Sequence, residues 1–232
     1  MTNKEFLPNF LFVFVNPFFI TRRYLYKNIE HVARQIGRGK LLDIGCGTKP
    51  YESFFQVEAY VGLDYRKEGK NQNLKADVFY DGGKFPFKKG EFDSALATEV
   101  LEHVFEPDLF MSEIYRILKP GGLCIMTVPF LWDEHEQPYD YARYTSFGLR
   151  ALVEKHGFEV VEQIKTGNFV SALGQLFCTY LYYYFSRNRL LYAIARPLVF
   201  APLQIFTLLF AQIFPKHQGL YLDNIILIKK KS

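Results

Sequence analysis

Leu41-Leu42-Asp43-Ile44-Gly45-Cys46-Gly47-Thr48-Lys49-Pro50 is the stretch on which the reading of this chain turns. An apolar run ends in Asp43 and passes at once into a turn holding Gly45 and Gly47, which is how a buried parallel strand delivers its carboxyl end to a ligand crevice. Asp64 closes the next apolar run, Tyr60-Val61-Gly62-Leu63, about 20 residues on, the spacing at which an acidic side chain meets ribose hydroxyls. Two strand ends and two carboxylates predict one nucleoside site.

The third glycine of the dinucleotide fingerprint is missing: Lys49 and Pro50 stand in its place, and Asp43 inside the turn would repel a pyrophosphate. A ligand with cationic groups suits the turn better. S-adenosylmethionine is such a ligand, with an ammonium, a sulfonium and no phosphate. Further along come Ala76-Asp77, then Phe92-Asp93 with Glu99 to Val104, then Leu118-Lys119-Pro120-Gly121-Gly122. On this ordered set the chain resembles the class I S-adenosylmethionine-dependent methyltransferases of the broad type 11 kind, over residues 40–165 and the last strand.

The resemblance implies an α/β fold with a doubly wound, mostly parallel seven-stranded sheet, Rossmann-like. It implies cofactor binding by Asp43, Gly45, Gly47, Asp64, Asp77 and Glu99. Asp77 would hold the adenine amino group, the alternative being an Asp that caps a turn. Glu99 to Val104 would line the floor beside the sulfonium, with His103 an orienting residue on the substrate side or, alternatively, a base. Cys46 becomes a small filler of the turn.

At 232 residues the chain suits one catalytic domain with additions rather than two full domains. Aromatic residues reach 18%, heavy for a soluble enzyme, so some surface is made for something other than water. The net charge is +4, and the basic residues cluster around apolar stretches without a broad basic face, which argues against nucleic acid. Cys46, Cys124 and Cys178 lack metal-ligand spacing, so the expectation is no metal site and reduced, buried thiols in a cytosolic compartment.

Four segments follow: 1–36, apolar and helical; 37–166, the methyltransferase core; 167–219, an apolar helical hairpin inserted before the last strand; and 220–232, that strand and a basic tail. The run from Phe6 to Ile20 lacks a cleavage site and is interrupted by Asn16-Pro17, so it reads as an interfacial segment or a cover for the core, with a helix over Tyr24 to Ile36. Within the core, a helix is expected over Tyr51 to Phe55, a polar loop over Lys67 to Asn73 and a short strand over Leu74 to Asp77. The fourth strand should run from Glu91 to Thr98, with a helix over Asp108 to Leu118. The fifth strand is expected over Leu123 to Val128, a helix over Thr145 to Lys155, and the last two strands over Gly157 to Ile164 and Leu220 to Ile228.

Beyond the fifth strand, Pro129 to Thr145 is too polar and aromatic for core and lies on the cofactor side of the sheet. Methyl transfer to a hydroxyl needs a base, and His135 is the best placed. Tyr139, Asp140 and Arg143 would orient a polyhydroxyl or acidic substrate, the alternative being an Asp140–Arg143 pair that holds a lid. The order His-x-x-Pro-Tyr-Asp-x-x-Arg-Tyr-Thr resembles methyltransferases of cell-surface polysaccharide and lipid-linked sugar assembly. In the insertion, Pro197, Pro202, Gln175, Arg196, Gln204 and Gln212 argue against a straight membrane span and for a hairpin in one leaflet, or for a dimerisation arm.

These readings together predict a methyltransferase, peripheral on the cytoplasmic face of the membrane, acting on a hydroxyl or carboxyl of a saccharide or lipid-linked acceptor. Two alternatives stand beside it: a methyltransferase of a small quinone-like acceptor, and a cofactor-binding scaffold without catalysis.

Overall fold

The computed structural model describes residues 9–65 and 74–231. The polar loop expected over Lys67 to Asn73 and the first residues of the N-terminal apolar run lie outside them. A helix, α1 (Phe19–Ala33), precedes a seven-stranded sheet of order β3-β2-β1-β4-β5-β7-β6. Its strands are β1 (Lys40–Ile44), β2 (Ala59–Tyr65), β3 (Val78–Tyr80), β4 (Phe92–Thr98), β5 (Leu118–Pro129), β6 (Phe158–Lys165) and β7 (Asp223–Lys230). β1 pairs in parallel with β2 on one side and β4 on the other, so the doubly wound sheet is present and its switch point lies at the carboxyl ends of these strands. Leu41, Leu42, Ile44, Ala95, Leu96 and Ala97 are buried in neighbouring strands, which is why both segments read as unbroken apolar runs.

Two helices flank β5 in sequence. α2 (Pro107–Ile117) starts on a proline, where the missing amide costs no hydrogen bond, and buries Phe110, Met111, Ile114 and Ile117. α3 (Ser146–Lys155) is capped by Thr145, whose hydroxyl accepts the Gly148 amide at 3.0 Å. α1 begins earlier than the expected Tyr24 because the Asn16 side chain accepts the Phe18 amide at 2.9 Å and starts the helix there.

Other expectations need correction. Tyr51 to Phe55 is no helix; Glu52–Phe54 makes one 3₁₀ turn between buried Tyr51 and Phe55. The third strand begins after Asp77 rather than ending on it. The Asp77 amide bonds the Gly62 carbonyl at 2.9 Å and its carboxylate takes the Gly62 amide at 2.6 Å, so Asp77 brackets β2 and the ladder starts at Val78. β5 starts at Leu118, because Lys119 to Gly122 forms a bulge: Phe92 pairs with Leu118, and Ser94 with Leu123. Lys229 and Lys230, expected in the basic tail after the last strand, lie in β7. Lys230 is buried, donating to the carbonyls of Tyr115 and Leu118 at 2.7 Å each, where α2 ends.

The chain forms two compact units: one comprises Ile29–Ile164 with Asn224 onward, the other the residues up to Asn28 with Lys165–Asp223. In the second unit the insertion departs at Thr166 and returns at Asp223. There the Thr166 amide bonds the Asp223 carbonyl at 2.9 Å, and the Thr166 hydroxyl donates to the Asp223 carboxylate at 3.0 Å. α4 (Phe169–Phe185) carries an Asn168–Ser171 capping box. The second arm joins α5 (Arg189–Ala195), a π-helical turn (Arg196–Phe200) and α6 (Ala201–Ile213) into one helix of 25 residues. The widened turn absorbs Pro197, so the arm is not broken as its prolines suggested. α4 and α6 approach so closely at Gly174 that a Cβ there would lie 2.3 Å from Thr207.

Two of the three glutamines that looked expensive in hydrocarbon are spent inside this unit, while Gln212 stays exposed and donates to the Leu208 carbonyl at 3.2 Å. Gln204 accepts the Phe19 amide at 3.0 Å and donates to the carbonyls of Val13 and Asn16. Gln175 accepts the Thr21 amide at 3.3 Å and donates to Pro17. With Val13 and Phe19 packed on Ala201, the N-terminal segment is strapped to the insertion. Gln204→Ala should therefore strand a buried amide and two carbonyls, costing roughly 1–3 kcal/mol. Limited proteolysis with mapped fragments should show earlier cleavage before Ile20 than in the parent; equal cleavage there would remove this role from Gln204.

Candidate active site

The turn after β1 is folded onto the end of β2. Gly45 and Cys46 both donate their amides to the Leu63 carbonyl, at 2.8 and 3.1 Å. Gly45 has φ +67°, and a Cβ there would lie 2.5 Å from a Val100 methyl, so only glycine lets the turn rest on the strip after β4. Gly47 has φ +51° with open space beside it, and its amide is taken by the Asp64 carboxylate at 2.8 Å. The other Asp64 oxygen accepts the Tyr65 amide at 2.8 Å, which fixes the carboxylate's orientation while leaving lone pairs for hydroxyl donors.

Asp43 is buried with the Tyr60 hydroxyl donating to it at 2.7 Å. Burial pushes its carboxyl up to about 7, against the opposing pull of Tyr60 and Lys49. Burial likewise raises the Cys46 thiol well above its usual range, consistent with a filler and not a nucleophile. Lys49, which the sequence did not single out, ties the site together: its ammonium bonds Asp77 and lies 5.6 Å from the Tyr60 ring. Burial disfavours the ionised Asp77, but the Gly62 amide and Lys49 outweigh it and hold the carboxyl below its usual range. The Asp77 carboxylate is thus joined to the turn and to β2 before any adenine is considered.

Glu99, expected at the cofactor, sits immediately after β4 with φ +54°. Its amide goes to the Thr127 carbonyl at 3.0 Å and to the Thr127 hydroxyl at 3.1 Å, while that hydroxyl donates to the Glu99 carboxylate at 2.6 Å. Thr127 on β5 is fully buried and is a second residue that sequence reasoning missed. Leu101–His103 then makes a 3₁₀ turn that buries Glu102 and brings His103 to the site's edge.

The segment after β5 folds over this edge as a lid. The Arg143 guanidinium grips Asp140 through two parallel bonds of 2.5 and 2.6 Å and donates to the carbonyls of Ala142 and Asp133 at 2.9 Å. Burial opposes ionisation of Asp140, but Arg143 and the His135 amide prevail and lower its carboxyl to about 2. The latch therefore contributes stability above the carboxyl's ordinary range and loses it only as pH falls through about 2. Expected to orient substrate, Asp140 and Arg143 are committed to each other and to the lid backbone, which favours the alternative of a structural pair. Tyr139 is more than half exposed, and nearby in sequence the exposed Tyr141 ring meets Phe105 edge to face at 5.2 Å, which gives this side an aromatic rim.

His135, the expected base, sits on the lid segment beside His103. Its Nδ1 is 3.2 Å from both the Asp133 carbonyl and the Asp140 carboxylate, so that nitrogen carries the proton and Nε2 holds the lone pair. The His103 and His135 rings meet edge to face at 4.8 Å. The ends of β1, β2 and β4 therefore carry Asp43, Gly45, Gly47, Asp64 and Glu99, with Asp77 bonded onto β2 and the His103–His135 pair in the segments that follow β4 and β5. A buried carboxyl at Asp43, open space at Gly47 and a carboxylate at Asp64 fixed by two amides suit a ligand with a cationic end and ribose hydroxyls, as expected of S-adenosylmethionine.

Residues 20–163, well over half of the chain, match a family described as a methyltransferase domain. The chain is 34% identical over 109 residues to an uncharacterized protein of Methanocaldococcus jannaschii, covering 45% of this chain and 52% of that one. It is 30% identical over 99 residues to a fatty-acid O-methyltransferase of Mycolicibacterium smegmatis, covering 38% of this chain and 36% of that one. The matched part spans only 36 to 62% of the length of these first curated relatives. A phosphoethanolamine N-methyltransferase of Haemonchus contortus, solved with S-adenosyl-L-methionine, shares the fold with TM-score 0.53 at 18% identity, over 100% of this chain and 58% of that one.

Because Asp43 is protonated below about pH 7 in the unliganded site, a cationic ligand should bind more weakly there. Affinity for S-adenosylmethionine should fall by up to about tenfold per pH unit below that point and level off above it. Calorimetric titration from pH 5.5 to 8.5 tests this, and Asp43→Asn should bind weakly with the slope gone. An unchanged slope in that variant would assign the titration to another group.

Proposed function

Since the chain belongs to the methyltransferase-domain family, we propose that it methylates a hydroxyl or carboxyl oxygen of a saccharide or lipid-linked acceptor at the cytoplasmic face of a membrane. The cofactor is S-adenosylmethionine, which when bound supplies an electrophilic methyl carbon for in-line displacement. Asp43 and Asp64 hold its two ends, and the Glu99–Thr127 pair fixes the floor between them. His135 Nε2 takes the acceptor proton, with Nδ1 steadied by Asp140. The lid, latched by Arg143, keeps water from the reacting atoms.

The observation that carries the membrane part is the surface of the second unit. Tyr180, Leu190, Leu198, Phe206, Ile213 and Phe214 are each more than half exposed there, far beyond the scattered apolar residues of an ordinary soluble surface. Arg189–Ile213 is also long and apolar enough to cross a bilayer by length and composition. The aromatic rim of Phe105, Tyr139 and Tyr141 at the site's mouth supports an acceptor with an apolar part. The fatty-acid O-methyltransferase among the relatives acts on a lipid oxygen, in keeping with this reading.

Incubation with methyl-labelled S-adenosylmethionine and a total membrane and cytosol extract, followed by phase partition, should put label in the organic phase. Label found only in water-soluble products would sink the lipid-borne acceptor. A variant with Leu198, Phe206 and Ile213 changed to Asp should keep cofactor affinity and lose flotation with anionic vesicles. If the parent does not float, and the variant only dissociates a dimer, the apolar face belongs to a second copy.

A further inference from the structure

We propose that Glu102, His103 and His135 form a binding site for a first-row divalent cation, zinc foremost, beside the methyl-transfer site. One carboxylate oxygen of Glu102 and one ring nitrogen of each histidine all lie within 4.8 Å of one another. Glu102 is fully buried, whereas the two imidazoles are partly open, so the cluster has an inner carboxylate wall and a solvent-side entrance. No residue spacing announced it. Glu102 and His103 come from the turn after β4 and His135 from the lid after β5, and only the fold joins them.

The hydrogen bonds around the cluster are those of a prepared ligand set. His103 Nδ1 lies 2.9 Å from the Tyr139 carbonyl, an atom that only accepts, so the proton sits on Nδ1 and the Nε2 lone pair points inward. That Nε2 is 3.8 Å from the Glu102 carboxylate. His135 repeats the arrangement, with Nδ1 3.2 Å from the Asp140 carboxylate. Each imidazole thus has its outer N–H anchored to an oxygen and its other nitrogen available, the second layer that metal-binding histidines commonly carry. A cation, whether a proton on Nε2 or a metal ion, would satisfy both the buried carboxylate and the nitrogen that faces it.

Two imidazoles and a carboxylate are the donors of open zinc sites and suit other borderline divalent ions, with further positions left for water or a substrate oxygen. Zinc bonds of about 2.0–2.1 Å place tetrahedral ligands some 3.4 Å apart. The separations, 3.8 Å between His103 Nε2 and Glu102 Oε1 and up to 4.8 Å across the group, therefore call for an inward movement of about 0.4 to 1.4 Å. With the ion bound, His135 would serve as a ligand in place of its role as base in the metal-free site. The ion would act as a Lewis acid that lowers the pKa of an acceptor hydroxyl, whose proton would leave by the open side of the cluster before the oxygen takes the methyl group from sulfur. That service rests on the methyl-transfer reading, but the binding itself does not.

The test uses full-length protein stripped with a chelator, dialysed and titrated with zinc, and with cobalt(II) for its visible spectrum. About one equivalent should bind with micromolar or tighter affinity, and cobalt should give the absorption of a four- or five-coordinate site. Glu102→Gln, which preserves shape, and His103→Ala should each weaken zinc binding by at least about tenfold, while His31→Ala, an exposed histidine elsewhere, should leave it unchanged. Cofactor affinity measured on the same samples reports whether the variants are folded. Failure to take up zinc, or zinc binding equal in the parent and both site variants while cofactor still binds, overturns the metal site and leaves the methyltransferase reading standing. Loss of cofactor binding in the parent would instead count against that reading.

Discussion

The carbonyl of Leu63, shared by the amides of Gly45 and Cys46, is the contact on which the cofactor end of the molecule depends. It draws the turn after β1 across the end of β2, which places Gly47 where Asp64 can take its amide. The same fold lets Lys49 reach Asp77, and Asp77 in turn holds the Gly62 amide of β2. Three strand ends are thereby fastened by main-chain bonds to carboxylates, and every carboxylate so used has its orientation fixed in advance of any ligand. The arrangement also explains why glycine is required at Gly45: a side chain there would lift the turn off Val100 and away from the carbonyl that anchors it.

Much of this end was legible because its chemistry is local. Asp43, Gly45, Gly47 and Asp64 sit at fixed offsets from two buried strands, and strand periodicity alone places them on one edge. Lys49 was not legible, since its partner is 28 residues away and a lysine in a turn looks like any solvated charge. Thr127 was hidden in the same way inside an apolar run, and Lys230 inside a basic tail. Asp77 was found by its motif but misplaced relative to its strand, because hydrogen bonds rather than residue pattern decide where a short edge ladder begins. The Glu102, His103 and His135 group lay beyond sequence reasoning altogether, since spacing rules see ligands only where they share one element or one motif.

The apolar unit shows a different limit. Glutamines at 175 and 204 were read as penalties for entering hydrocarbon, which holds only for amides facing lipid. Here each carboxamide supplies a donor and an acceptor to the N-terminal backbone, where the passage from a 3₁₀ turn over Phe10–Phe14 into α1 leaves polar groups for them to pair. What remains outside is largely aromatic and aliphatic, with Arg187, Arg189 and Gln212 exposed among it. Composition alone could have located this surface, but it could not have separated the buried polar strip from the exposed apolar one.

The lid bears on specificity through what Arg143 no longer offers. Four of its N–H groups are taken by Asp140, Ala142 and Asp133, and a substrate anion would have to break a bidentate pair in a half-buried site to recruit it. Breaking such a pair without replacing it costs several kcal/mol, more than one new contact of the same kind returns. An anionic group on the acceptor is therefore a poor candidate for recognition by this arginine. Discrimination falls instead to the shape and polarity of the mouth, where Tyr139 supplies a hydroxyl on an aromatic ring and Phe105 and Tyr141 supply apolar edges. Under the proposed reading, a mouth of that kind suits an acceptor whose reactive oxygen is carried on a lipid-linked body.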